Sequence, residues 1–137
     1  MQLLASLLLS FLLSAAPSSH PAYSTEKIIT IAVSAKGDVT INNVAIEADV
    51  VTKELQQRLW RSYMVSGKMA DRISIQWNEA NSNALKKSIS DAVKEAQAKT
   101  LTMLCLHKYK KKFEDIGSRK QGRLQKQYPA LFQQTYT

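Results

Sequence analysis

The side chains that most often perform chemistry are few in this 137-residue chain, and they are scattered along it. The chain has a single cysteine, Cys105, and two histidines, His20 and His107. A transition-metal site needs several such ligands at short, regular spacings, and these three residues do not show that spacing. Cys105 lies within the apolar run "TLTMLCLH", so we expect a small core residue rather than a nucleophile. The sequence predicts no metal site.

The acidic residues and glycines also lack a catalytic arrangement. Asp91 and Glu95 are one helical turn apart, which would suit a pair of carboxylates that share acid–base work. They stand beside Lys87 and Lys94, however, which favours a solvated helix face stabilised by pairs of opposite charge. The four glycines are scattered and form no phosphate-binding loop. We therefore expect no catalytic residue, no cofactor and no enzyme activity; a small hydrolase of unknown type is the remaining enzyme alternative.

The basic residues are concentrated near the C-terminus. The whole chain has a net charge of +8, and residues 108–137 carry eight basic and two acidic residues, a net +6. A segment of this kind suits an acidic partner such as an anionic wall polymer or a lipid headgroup. The apolar residues of this segment follow no sustained helical or strand period, so we expect a flexible basic tail. The residues expected to contact a polyanion are Lys110, Lys111, Lys112, Arg119, Lys120 and Arg123.

Residues 1–22 predict passage to or across a membrane. The stretch "LLASLLLSFLLSAAP" is uncharged. As a helix it would span about 21 Å, which is short of the ~30 Å hydrocarbon core. Small residues and prolines follow, as at the end of a secretory signal, although Met1-Gln2 lacks the usual basic residue. A signal peptide and a membrane anchor both stay open. Either places the rest of the chain in the periplasm or elsewhere outside the cytoplasm, where we do not expect it to meet nucleic acid.

Between these ends, residues 23–107 predict an α+β domain. "KIITIAVS" and "VTIN" alternate apolar and polar residues around a Gly37-Asp38 turn and predict a β-hairpin, with a second turn at Asn42-Asn43. The following segments predict a helix, a strand, a helix and a fourth strand, in "ADVVTKELQQRLWRSYMVSGK", "RISIQW", "ALKKSISDAVKEAQAK" and "TLTMLCLH". The order is ββαβαβ. We expect a two-layer sandwich with both helices on one face of a four-stranded sheet.

The run "IITIAVSAKGDVTINNVAIEADVVTKELQQRL" resembles the periplasmic domain of the ExbD/TolR family of biopolymer transport proteins. That family has a strand, a glycine-centred turn, a strand ending in Asn, and an amphipathic helix with two leucines, here Leu55 and Leu59. "RISIQWNEA", "LKKSISDAVKEAQ" and "TLTMLCL" match its later strand, helix and closing strand in order and length. The resemblance covers residues 27–107. The chain departs from the family in its leader, which has no acidic residue to carry protons, and in its basic C-terminus.

The resemblance implies a non-enzymatic module accessory to proton-motive-force-coupled biopolymer transport or to envelope integrity. As partners it implies a second copy of the chain, ExbB/TolQ-like and TonB/TolA-like proteins, and peptidoglycan. Trp60 and Tyr63 form either an edge of the core or an aromatic contact for such a partner. Met103 or Leu104, whichever side chain faces outward from the predicted fourth strand, is expected at a dimer contact. The alternative function is a soluble exported basic protein that binds polyanions through its C-terminal tail.

Overall fold

We analysed a computed structural model, which describes residues 27–136. Its strands are β1 (Ile28–Val33), β2 (Val39–Ile41), β3 (Val44–Ile46), β4 (Arg72–Gln76) and β5 (Gln134–Tyr136). Its helices are α1 (Val51–Ser66), α2 (Asn83–Tyr109) and α3 (Ser118–Gln127), with short 3₁₀ turns at Ala48–Val50, Phe113–Asp115 and Pro129–Leu131. The predicted α+β class and strand–helix–strand order are confirmed. The sheet has five strands rather than four, and the predicted leader lies outside the described residues.

The five strands form one mixed sheet in the order β3-β2-β1-β4-β5. The two hairpin pairs are antiparallel, whereas β4 is parallel to both β1 and β5. Successive side chains of a strand point to opposite faces. One face therefore carries the buried residues Ile29, Ile31, Ile73 and Ile75, and the other carries small polar residues such as the register partners Thr30 and Ser74.

The second turn of the hairpin region closes on Asn42 and Asn43, as predicted. Both residues have positive φ, 48° and 68°, in a two-residue loop between β2 and β3. Positive φ at both central positions is the signature of a type I′ hairpin turn. The Asn42 Oδ1 atom accepts a hydrogen bond from the Thr30 backbone N–H at 2.7 Å. The turn directs the chain into β3, a short, largely exposed edge strand that the sequence reading missed.

Helices α1 and α2 pack beside each other over the apolar face of the sheet. Val51 and the expected leucines Leu55 and Leu59 are spaced four residues apart on one face of α1, and all three are buried. The helix ends at Gly67, whose φ of 73° is the left-handed conformation that glycine adopts without strain. Helix α2 begins after Ser82, whose hydroxyl accepts from the Leu85 backbone N–H at 3.1 Å. Within residues 27–136, no helix is both long and apolar enough to cross a membrane.

The prediction of a fourth strand at residues 100–107 is wrong, because these residues continue helix α2. The side-chain hydroxyls of Thr100 and Thr102 donate to the backbone carbonyls four residues earlier, at 2.8 and 3.0 Å. A short apolar run is compatible with either a buried strand or a helix. No glycine or proline stops the helix at Ala98-Lys99, so it continues into the segment that was predicted as a strand. Burial then follows helical spacing, at Thr100, Leu101, Leu104 and Cys105.

The prediction of a flexible basic tail is also wrong for the part that the structure describes. Residues 110–136, here called the C-terminal segment, contain α3 and β5, and β5 pairs with β4. The segment lacks an obvious period because its elements are short and are joined by 3₁₀ turns. Five of its side chains are nevertheless buried in the core, namely Ile116, Leu124, Tyr128, Ala130 and Leu131. The segment therefore belongs to the folded body of the protein.

Candidate functional site

Four side chains form an aromatic cluster where α1, α2 and the C-terminal segment meet: Trp60, Tyr63, His107 and Tyr128. The Trp60 and Tyr63 rings are 5.5 Å apart between centroids. The His107 ring packs nearly perpendicular to both, at 5.8 Å from each. Tyr63 also contacts Tyr128 edge-on at 5.9 Å. Edge-to-face pairs of this kind fix ring orientations and add to the stability that comes from burial. The cluster therefore forms a packed aromatic surface that is partly exposed through Trp60, Tyr63 and His107.

The cluster carries a cation, because Lys108 Nζ lies 4.9 Å from the centroid of the Tyr128 ring. Burial raises the pKa of Tyr63, and the neighbouring Tyr128 phenol raises it further, against a smaller opposing effect of Lys108. Burial lowers the pKa of Lys108, but its interactions with Tyr128, Tyr63 and Tyr109 outweigh this, so the net shift is upward. Both shifts lead away from neutral pH. Near neutral pH the Tyr63 phenol therefore stays protonated and Lys108 stays a cation.

A groove of about 240 Å³ lies beside the cluster, between α1 and α2; we call it the Trp60 groove. Across its floor, Gln56 Nε2 donates to Met103 Sδ at 3.0 Å. Two large apolar side chains close to the lining residues in sequence are exposed. Met64 exposes 53% of its surface and Leu106 exposes 51%. Each is three or four residues from a lining residue and so shares its helix face. The groove is lined by Lys53, Gln56, Gln57, Trp60, Arg61 and Met103.

Three of the four residues predicted to contact a partner lie at this surface. Trp60 and Tyr63 are half-buried against the core, which fits the core-edge interpretation and also leaves part of each ring accessible. Met103 is half-buried and lines the Trp60 groove. Leu104 is 0% exposed, so its prediction as a contact residue is wrong. Because Met103 and Leu104 lie in a helix, the expected dimer contact through a strand at residues 100–106 has no structural basis.

The residues predicted to contact a polyanion are exposed, as expected, but a folded segment holds them. Lys110, Lys111 and Lys112 follow the end of α2, and the others belong to α3. Lys120 Nζ lies 5.0 Å from the centroid of the Tyr109 ring. Arg119, Arg123 and the further residue Lys126 are four and three residues apart, so they follow one face of α3. We call this set the basic surface: Lys110, Lys111, Lys112, Arg119, Lys120, Arg123 and Lys126.

A second, larger groove separates α2 from the C-terminal segment and has a volume of about 520 Å³. We call it the Phe113 groove. Its walls include Phe113 and Phe132, whose ring centroids are 6.1 Å apart. The sequence analysis missed it because one wall is the segment that was expected to be unfolded. The available signal was the spacing of Phe113 and Ile116, which is typical of a helical turn.

Among residues 27–136, no group of His, Cys, Asp and Glu side chains is arranged to hold a metal ion. Cys105 is buried, as predicted for a core residue, and burial raises the pKa of its thiol. Comparison with known proteins adds no further constraint: no protein-family model matches this chain, and a search of curated proteins found no match either.

Proposed function

We propose that this chain is a non-enzymatic binding module of the cell envelope, accessory to proton-motive-force-coupled transport or to envelope integrity, as the ExbD/TolR resemblance implies. The observation that carries the proposal is the order of the elements. A glycine-turn hairpin ending in Asn, a helix with Leu55 and Leu59, a strand and a second helix follow one another as in that family. The closing strand is β5 rather than residues 100–106, and it extends the same sheet beside β4.

The Trp60 groove is the surface that best suits a protein partner in this role. It combines an aromatic ring with a polarizable methionine, two residue types that are enriched at protein interfaces. Lys53 and Arg61 at its rim would favour a partner segment with acidic residues around an apolar anchor. We place the contact with an ExbB/TolQ-like or TonB/TolA-like protein here. A homodimer, the other contact that the resemblance implies, belongs to the same proposal.

Photo-crosslinking in living bacteria tests this proposal. A photoreactive amino acid replaces Gln57, which lines the groove, in the full-length chain. The control position is Ser88, an exposed residue of α2 that does not line the groove. We expect the Gln57 position to crosslink to an ExbB/TolQ-like or TonB/TolA-like protein, identified by mass spectrometry. Equal capture of such a protein from Ser88, or no such protein from Gln57, would overturn the assignment of this surface.

Polyanion binding is a second candidate function, and the organised basic surface specifically favours it. Seven basic side chains lie exposed along the end of α2 and along α3. Because α3 is folded, its cations keep fixed spacings, and a polyanion does not have to order them when it binds. A flexible polymer with regularly spaced phosphates fits such a surface through ion pairing and release of counterions.

Salt-dependent binding of inorganic polyphosphate tests the second candidate. We compare the wild type with Lys111→Gln/Arg119→Gln/Arg123→Gln, and with the matched variant Lys36→Gln/Lys68→Gln/Lys99→Gln. If Lys111, Arg119 and Arg123 contact phosphates, the slope of log Kd against log salt concentration falls by about two in the variant that lacks them. This is the change expected when counterions are released from a single strand. The matched variant should keep the wild-type slope. Equal losses in both variants would show attraction by net charge alone and remove the assignment to the basic surface.

A further inference from the structure

We propose that the Phe113 groove is a binding site for a small amphipathic anion, a molecule with an apolar aromatic or acyl body and one negatively charged group. This inference is independent of the function proposed above. The volume of about 520 Å³ lies within the range of small-molecule sites, roughly 300–1,000 Å³. The groove has one wall from α2 and one from the C-terminal segment, and its lining combines a central apolar zone with charged side chains.

The apolar zone comes from both walls. Leu101 on α2 and Leu131 in the C-terminal segment are both almost fully buried and form the floor. Phe113 and Phe132 stand half-buried beside them, with their rings inclined at 57°. Ala98, exposed on α2, keeps the entrance open because its side chain is small. A planar ring or a short acyl chain can fill this space and contact both phenylalanines.

The length of the groove follows from the α2 residues that line it. Lys94, Ala98 and Thr102 are each four residues apart, so they form one stripe along the helix. Eight residues at about 1.5 Å each span ~12 Å of the helix axis. The site is therefore elongated, which suits an extended apolar body with its charge at one end.

The charge at the groove determines the sign of the ligand. Lys94 on α2 and Lys112 on the opposite wall both line it, together with a single acidic residue, Glu114. Within the described range 27–136, neither lysine lies within ion-pair distance of Glu114 or of another carboxylate. The described lining therefore carries two ammonium groups and one carboxylate, a net positive charge beside an apolar zone, which gives an electrostatic preference for an anion. The basic residues that follow one another at Lys110–Lys112 increase this preference.

The base of the groove is already ordered, so a ligand does not have to organise it. Gln97 Nε2 donates to the carbonyl oxygens of Ala130 and Gln133 at 2.9 and 3.2 Å. Its Oε1 accepts from Gln134 Nε2 at 3.0 Å. These bonds join the two walls below the apolar zone. Since the Gln97 amide is fully engaged, the lysines at the rim are the groups that would recognise the charge of the ligand.

Fluorescence titration with 8-anilino-1-naphthalenesulfonate, an aromatic sulfonate, tests the proposal on the folded wild-type chain. We expect saturable binding with one site per chain, competed by decanoate but not by acetate, because acetate lacks the apolar body. Ala98→Trp should abolish this binding by filling the entrance, whereas Ser88→Trp, at an exposed position on α2 outside the groove, should not affect it.

The charge requirement has its own variants. Lys94→Glu/Lys112→Glu should weaken sulfonate binding by roughly tenfold or more, a change of about 1.4 kcal/mol in binding free energy. The matched variant Lys86→Glu/Lys126→Glu has the same net charge and leaves the groove intact. Cooperative thermal unfolding of each variant excludes binding to partly unfolded protein. Absence of saturable binding, binding that survives Ala98→Trp, or equal losses in both charge-reversal variants would overturn the proposal.

Discussion

Gln97 shows how much of the packing depends on one polar side chain. It is buried within α2, and its amide group forms three hydrogen bonds with the C-terminal segment. A lone glutamine in an amphipathic helix gives no sequence signal for such a role, because its partners lie 33 to 37 residues later. The sequence indicated a helix in the first part of α2, but it did not indicate this connection.

We expect Gln97→Ala to lower the free energy of unfolding by about 1–3 kcal/mol, since buried carbonyl groups of the C-terminal segment lose their donor. Urea denaturation of the full chain measures the effect. Gln125→Ala, at an exposed position of α3, is the control and should change stability by less than about 0.5 kcal/mol. A loss of that small size for Gln97→Ala would show that these hydrogen bonds contribute little.

Lys110 ends α2 in a left-handed conformation, with φ of 53°, and its backbone N–H donates to the Leu106 carbonyl oxygen. A side chain in this conformation costs roughly 1–2 kcal/mol, which glycine avoids at a smaller entropic cost. We therefore expect Lys110→Gly to raise the stability by about 0.5–1 kcal/mol. Lys111 does not have a positive φ, so Lys111→Gly should not stabilise the protein. Thermal unfolding of both variants provides the comparison.

The success of the sequence reading differed from element to element. The hairpin around Gly37, the apolar stripe of α1 and strand β4 were predicted because their periods are clear and their turn residues are distinctive. Strand β3 was missed because a three-residue, exposed strand has almost no pattern. The end of α2 was misread because an apolar run without a break fits two structures. Of the candidate site, the sequence indicated Trp60, Tyr63 and Met103, but the Phe113 groove required knowledge of the fold.

A substitution in helix α3 tests whether the C-terminal segment contributes to stability. Leu124 is its fully buried residue, 0% exposed. We expect Leu124→Ala to destabilise the protein by about 2–5 kcal/mol through lost burial and the cavity that remains. Leu106→Ala removes the same atoms from an exposed position on α2 and should cost less than about 0.5 kcal/mol. Similar effects of the two substitutions in urea denaturation would contradict the packing described for α3.

The molecule as a whole is organised around one sheet that segments from both halves of the chain complete. Strand β4 lies between β1 and β5, and its partner residues in β5 are about 60 positions later in the sequence, as in Ile73 and Gln134. The core contains side chains from before and after residue 108. The boundary that the charge distribution indicated is therefore not a boundary in the packing.

A fragment of residues 27–110 should not unfold cooperatively near the midpoint of the full chain. Removal of the C-terminal segment takes five buried side chains out of the core. It also leaves β4 as an edge strand with one side unpaired. Thermal unfolding monitored by near-ultraviolet circular dichroism measures this, because the signal reports fixed packing around the aromatic residues. A cooperative transition within a few degrees of the full-length midpoint would restore the interpretation of the C-terminal segment as a dispensable tail.

Because Cys105 is buried, the rate at which a thiol reagent labels it reports how often the folded structure opens. The chain has one cysteine, and that side chain is 0% exposed. Burial raises the pKa of the thiol, so little of the reactive thiolate exists in the closed state at neutral pH. A colorimetric disulfide reagent should therefore label the native protein only as fast as Cys105 becomes accessible, and Leu124→Ala should speed labelling because it makes opening less costly. Labelling of the wild type at the rate of the urea-unfolded chain would show that Cys105 is not protected, whereas slow labelling would measure how often α2 separates from the core.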